Sequence, residues 1–184
     1  MAYTVFESTN MASTKYAERI FDAMSTEDVE NGTFGYLDGL VEGEDVTYNF
    51  VKGVKAGATV VVVDQVPWDA DNCKRENQRR DKFINKAGTK FRVRVVKKTD
   101  EFSISIDGFT QGTQSIADKD KYVTIDPTIG KLIVSDSSTP ESSAGSVMIG
   151  KIMRKHVDGS VITTVAHNYG YSRTMYEIKV ENLG

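Results

Sequence analysis

Lys90-Phe91-Arg92-Val93-Arg94-Val95, followed across Lys98-Thr99-Asp100-Glu101 by Phe102-Ser103-Ile104-Ser105-Ile106, is the stretch that settles the fold class. Phe91, Val93 and Val95 fall on one side of an extended chain, with Arg92 and Arg94 on the other, and Phe102, Ile104 and Ile106 repeat the alternation. In a strand, successive side chains point to opposite faces, so a period of two reads as two half-buried strands. Working outward, Tyr122-Val123-Thr124-Ile125 and Lys131-Leu132-Ile133-Val134 flank Asp126-Pro127-Thr128-Ile129-Gly130, where Pro and Gly supply the backbone angles of a hairpin loop. Val60 to Val63, Val147 to Met153, Val161 to Val165 and Thr174 to Val180 complete the strand set. Short strands separated by turn signals predict a mainly β protein, an antiparallel β-barrel or sandwich with at most one or two short helices. Patterning continues on both sides of every loop, so residues 1–184 read as one β-rich domain.

Two segments read either way. Ala17, Ile20, Phe21 and Met24 fit a helical stripe with Ser13 or Thr14 as N-cap, yet Arg19 to Met24 also fits a short strand entering the turn at Glu30-Asn31-Gly32; the strand reading is preferred. Asn72 to Lys86 is polar and highly charged, a short helix or a long loop. Ser135 to Ser146 is rich in Ser, Gly and Pro and is expected to be a mobile surface loop. Residues 1–13 form a candidate N-terminal arm, in which Tyr3, Val5, Phe6 and Met11 are spaced apolar anchors able to add to a neighbour's sheet edge; an ordinary first strand is the other reading.

Reactive side chains are few among the 184 residues. Cys73 is the single cysteine, and His156 and His167 are the only histidines. No intramolecular disulfide can form. Asp69-Ala70-Asp71-Asn72-Cys73 begins like a calcium loop, but Cys73, Lys74 and Arg80 occupy positions that need an oxygen ligand, a glycine and a glutamate. There is no nucleophile elbow and no phosphate-binding glycine loop. Glu42 and Glu44 beside Gly43 read as a solvated turn rather than a carboxylate pair. The expectation is therefore a non-enzyme with no cofactor and no metal. The longest apolar runs, such as Val60 to Val63, fall far short of the roughly 20 residues of a membrane span. The N-terminus carries no basic and apolar export signal, which points to synthesis in a reducing cytoplasm.

The net charge of −3 conceals opposed blocks. Residues 1–73 carry −9, residues 74–98 carry +9 and residues 99–184 carry −3. Such a basic segment suits nucleic-acid phosphates, but the stacking aromatics of a single-strand binder are missing from the face of Arg92 and Arg94. An acidic protein partner or a neighbouring protomer suits it better. The candidate interface residues are thus Tyr3, Phe6 and Met11 of the arm, Trp68 as the sole tryptophan, and Arg75, Arg79, Arg80, Arg92 and Arg94 of the basic segment.

Arg19-Ile20-Phe21-Asp22-Ala23, Glu27-Asp28-Val29-Glu30-Asn31-Gly32, the run from Asp81 to Arg92 and Asp100-Glu101-Phe102-Ser103-Ile104 together resemble a family of small head proteins encoded with the capsid genes of tailed phages and prophages of Gram-positive bacteria. That family resembles capsid decoration, or cement, proteins. The resemblance implies a structural virion protein on the outer capsid surface, with the major capsid protein and its own copies, as a homotrimer, for partners. It carries over no functional residue. A nucleic-acid-binding module using residues 74–98 and a tail or baseplate structural protein are the alternatives.

Overall fold

The computed structural model describes residues 3–16, 19–67, 79–138, 148–158 and 173–183. Trp68, Cys73, Arg75, His167, the expected strand Val161–Val165 and most of the expected mobile loop lie outside these residues. Eleven strands are present: β1 Phe6–Asn10, β2 Ile20–Met24, β3 Phe34–Leu40, β4 Thr47–Lys52, β5 Val61–Val63, β6 Lys90–Val95, β7 Glu101–Ser105, β8 Tyr122–Ile125, β9 Leu132–Ser135, β10 Met148–Asp158 and β11 Arg173–Leu183. The helical segments among the described residues are short 3₁₀ turns at Ala12–Thr14, Arg80–Lys82, Ile106–Gly108 and Gln111–Ile116.

The strands form both a barrel and a sheet. β2, β4, β3, β5 and β6 close into a five-stranded barrel, and β1, β7, β11, β10, β8 and β9 form an antiparallel sheet in that order. The barrel closes through β2, which pairs antiparallel with β6 but parallel with β4. That one parallel contact departs from the antiparallel expectation. The ambiguous Arg19–Met24 stretch is strand because Ala23 faces the barrel interior, where a β2 strand is needed to bridge β4 and β6. Ile106 leaves its strand for the 3₁₀ turn after β7 and packs against the sheet core from there.

Two hydrophobic cores result. Val61, Val63, Phe91, Val93 and Val95 fill the barrel with Phe50 and Ala23. Val60 and Val62 point the other way, into a larger core with Phe34, Phe102, Ile104, Ile178 and Val180 between barrel and sheet. The Val60–Val63 run has no polar position because both faces of β5 are covered, the reason a buried strand reads as a continuous apolar run.

Barrel and sheet are locked by backbone. The β8–β9 loop reaches the barrel, where Phe34 N–H donates to the Gly130 carbonyl (2.8 Å) and Gly53 N–H donates to the Phe34 carbonyl (3.0 Å). Gly53 and Gly130 both have positive φ, 89° and 69°, and a Cβ on either would lie 2.0 Å from Pro127 O or 2.1 Å from Phe34 O. Only glycine fits both the left-handed backbone and this close approach. Gly130→Ala is expected to lower the unfolding free energy by roughly 3 kcal/mol, combining left-handed strain with the collision. Gly57→Ala, also at positive φ but facing open space, should cost only about 1 kcal/mol. Urea midpoints of the two variants check the difference.

Candidate interaction surface

The basic segment emerges from the barrel wall. With Phe91, Val93 and Val95 turned inward, β6 directs Arg92 and Arg94 outward, but this side of the wall meets the chain leaving β5 rather than solvent. Arg94 is only 8% exposed; its Nε donates to Asp64 Oδ2 in a short charge-assisted contact and its Nη1 donates to the Ser13 carbonyl (3.3 Å). Arg92 Nε donates to the Asp64 carbonyl (2.9 Å), and its N–H donates to Gln65 Oε1 (3.1 Å). Ser8 Oγ donates to the same Asp64 Oδ2 (3.1 Å), bringing β1 to this point. These groups border a cleft of about 350 Å³ shared by β1, residues Asp64 to Pro67, and Arg80, Arg92 and Arg94.

Four of the other described bases of the segment are paired as well. Arg80 contacts Glu7, Lys86 binds Asp28 (2.9 Å), Lys90 binds Glu44 (2.6 Å), and Arg79 grips Asp81 with both Nε (3.0 Å) and Nη2 (2.8 Å). Glu7, Asp28, Glu44 and Asp64 all belong to the acidic block of residues 1–73. The two opposed charge blocks therefore meet inside one chain, and the expectation that the +9 stretch stands ready for another molecule is corrected for these side chains. Arg80 keeps an exposed face, while Arg92 and Arg94 are wall residues. The partners Asp64, Gln65 and Glu7 had no signal in the sequence, since they lie tens of residues from the bases they meet.

The arm anchors are likewise occupied. β1 pairs antiparallel with β7, Phe6 opposite Ile104, and the Phe6 ring packs on Phe102 with centroids 5.4 Å apart. Phe6 is 5% exposed and Met11 1%, so both serve this chain's own core rather than a neighbour's sheet. Tyr3, half-buried, is held where its N–H donates to the Asp81 carbonyl (2.8 Å). The first strand is the edge of the sheet, and removing residues 2–11 would remove core residues rather than a free arm.

Lys86 and the Ala87 amide hold the Asp28 carboxyl below its usual range, Lys90 does the same for Glu44, and Asp28 raises Lys86. Carboxylates lowered in this way stabilise the fold above their ordinary range and lose that contribution as the pH falls through it. Asp107 behaves oppositely: burial raises its carboxyl, against the pull of Lys131. Its ionisation opposes folding at neutral pH, and the penalty disappears once acid protonates it in both states. Among the described residues no group of three or more His, Cys, Asp or Glu is arranged to hold a metal ion, and no helix is long and apolar enough to cross a membrane.

Asp64→Ala leaves the Arg94 charge buried without its carboxylate and is expected to cost about 3 kcal/mol; Asp64→Leu combined with Arg94→Met should recover most of that in chemical denaturation. Asp107→Asn should raise the thermal midpoint at neutral pH, with the gain vanishing in acid, in a pH series of melting curves. Compared with known protein families, curated proteins and solved structures, the chain shows no significant match to any of them.

Proposed function

We propose that this chain is a structural virion protein that binds the outer surface of a tailed-phage capsid and stabilises it, a decoration or cement protein rather than an enzyme. Its partners on this reading are the major capsid protein and its own copies in a homotrimer, and its location is the capsid surface. The observation that carries the proposal is where the resembling segments fall. Arg19 to Ala23 enters β2, the run from Asp81 to Arg92 enters β6, and Asp100 to Ile104 enters β7. β2 and β6 are hydrogen-bonded neighbours at the barrel's closure, and β7 follows β6 directly into the sheet. The likeness to head proteins thus runs through the framework of the fold, and a role built on surfaces is what such a framework serves.

A nucleic-acid role for residues 74–98 is disfavoured by the ion pairs. Cations already matched by carboxylates release few counterions on meeting phosphates, and counterion release drives such binding. The tail or baseplate alternative has no observation in its favour.

The proposal is tested by mixing the purified protein with empty shells of the major capsid protein encoded beside it and sedimenting the shells. Saturable co-sedimentation at a fixed number of copies per capsomer, with raised thermal stability of the shell, is the expected result. Shells that sediment bare at micromolar protein would refute it. Light scattering of the free protein reports three copies if the trimer is correct.

A further inference from the structure

The two ends of the barrel are unlike. At one end Val29, fully buried, plugs the interior, held by reciprocal backbone hydrogen bonds with Asn85 (2.9 Å each way). At the other end, where β2, β4 and β5 begin and β6 finishes, no side chain among the described residues performs that task. A cavity of about 450 Å³ opens there, floored by Val61, Val95 and Leu37 and walled by Phe21 and Tyr48. Its volume falls in the range of binding pockets, and its lining is mixed, with the polar Thr59 and the hydroxyl-bearing Tyr48 beside the apolar floor. Arg19 and Lys97 stand at its rim, with no carboxylate among the described residues that line it.

Those two cations differ from six others on and beside the barrel. Lys52, Lys55, Lys86 and Lys90 are each paired, with Glu27, Asp38, Asp28 and Glu44. Arg92 and Arg94 are bound to Asp64. Arg19 and Lys97 form no ion pair with a described residue; the Arg19 guanidinium lies over the ring of Tyr16 (5.1 Å), itself 53% exposed. Positive charge is thus left unmatched by carboxylates of the described residues at the rim of this open cavity.

We propose that the open end of the barrel is a docking site for an acidic segment of a partner protein, which seats one aliphatic or aromatic side chain in the cavity and sets flanking carboxylates against Arg19 and Lys97. Phe21, Tyr48 and Arg19 are all half-buried around the pocket, and aromatic and arginine side chains are the residue types enriched in protein-interface hot spots. A nucleic acid fits less well. Phe21 and Tyr48 meet edge to face, at 83° with centroids 5.6 Å apart, and so offer no flat platform for a base. Two cations also make a small phosphate footprint. The inference is independent of the virion reading, because the partner is defined by its chemistry and the isolated protein suffices to test it.

The probe is the blocked peptide acetyl-Glu-Glu-Phe-Glu-Glu-amide, titrated into isotope-labelled protein by methyl NMR. Saturable shifts at Leu37, Val61 and Val95 are expected, with affinity at least tenfold weaker for the same peptide carrying Ala in place of Phe, and for the Arg19→Glu/Lys97→Glu variant. Unshifted sheet methyls such as Ile178 and Val180 show that the variant remains folded; if it does not fold, the Phe and Ala peptides compared on the wild-type protein decide. No saturable shift at about 1 mM peptide overturns the proposal. So do equal affinities for the two peptides, or tighter binding of an oligothymidine at the same methyls.

Discussion

Phe34 is the residue on which the two halves of this protein depend. Its amide is held by Gly130 of the β8–β9 loop, its carbonyl by Gly53 at the end of β4, and its ring packs against Phe102 of β7 (centroids 5.6 Å apart). One residue thus ties the first strand of the barrel's β3–β4 hairpin to the sheet through backbone and side chain together. The approach is possible because both glycines lack a Cβ where one would collide with a carbonyl. Once that junction is set, Val60 and Val62 can cover the sheet while Val61 and Val63 fill the barrel, and neither core is left open along β5.

Charge follows the same logic. The basic segment lies on and around β6, and β6 forms the barrel wall between β2 and β5, so its bases come to rest beside the acids of the first 73 residues. Most of these pairs are exposed and add little stability. Arg94 with Asp64 is different, because desolvation makes a buried pair no better on balance than apolar packing yet costly to break. We regard it as a specificity device that holds β6, the chain after β5 and the 3₁₀ turn at Ala12–Thr14 in one arrangement, since Arg94 touches all three. The surface left for partners is consequently smaller and more particular than the composition implies, and two unmatched cations, Arg19 and Lys97, lie around the barrel mouth.

For function, the folded chain exchanges one set of contact residues for another. Phe6 and Met11 belong to the sheet core, and Arg94 to the wall. Arg19 and Phe21, Tyr48, and Lys97 come from three separated stretches and have no shared signature in one dimension. A decoration role and an acidic docking segment are compatible, because a protein that binds a shell needs at least one surface built for a partner's chemistry.

Local sequence was sufficient to read β6, β7, β8, β9, β10 and β11, since apolar and β-branched residues mark them and the period of two is written directly in residues such as Phe91, Val93 and Val95. The turn at Asp126 to Gly130 was legible for the same reason, its Pro and Gly acting on their own backbone. What could not be read was everything set by contacts distant along the chain: that β2 closes a barrel by pairing parallel with β4, that the first strand, Phe6–Asn10, pairs with β7 at the edge of the sheet, and that the +9 segment meets its own −9 counterpart. Periodicity reports which face of an element is buried but not against what, and a charge reports its sign but not its nearest neighbour. Those are properties of three-dimensional packing, and here they determine which residues remain available to another molecule.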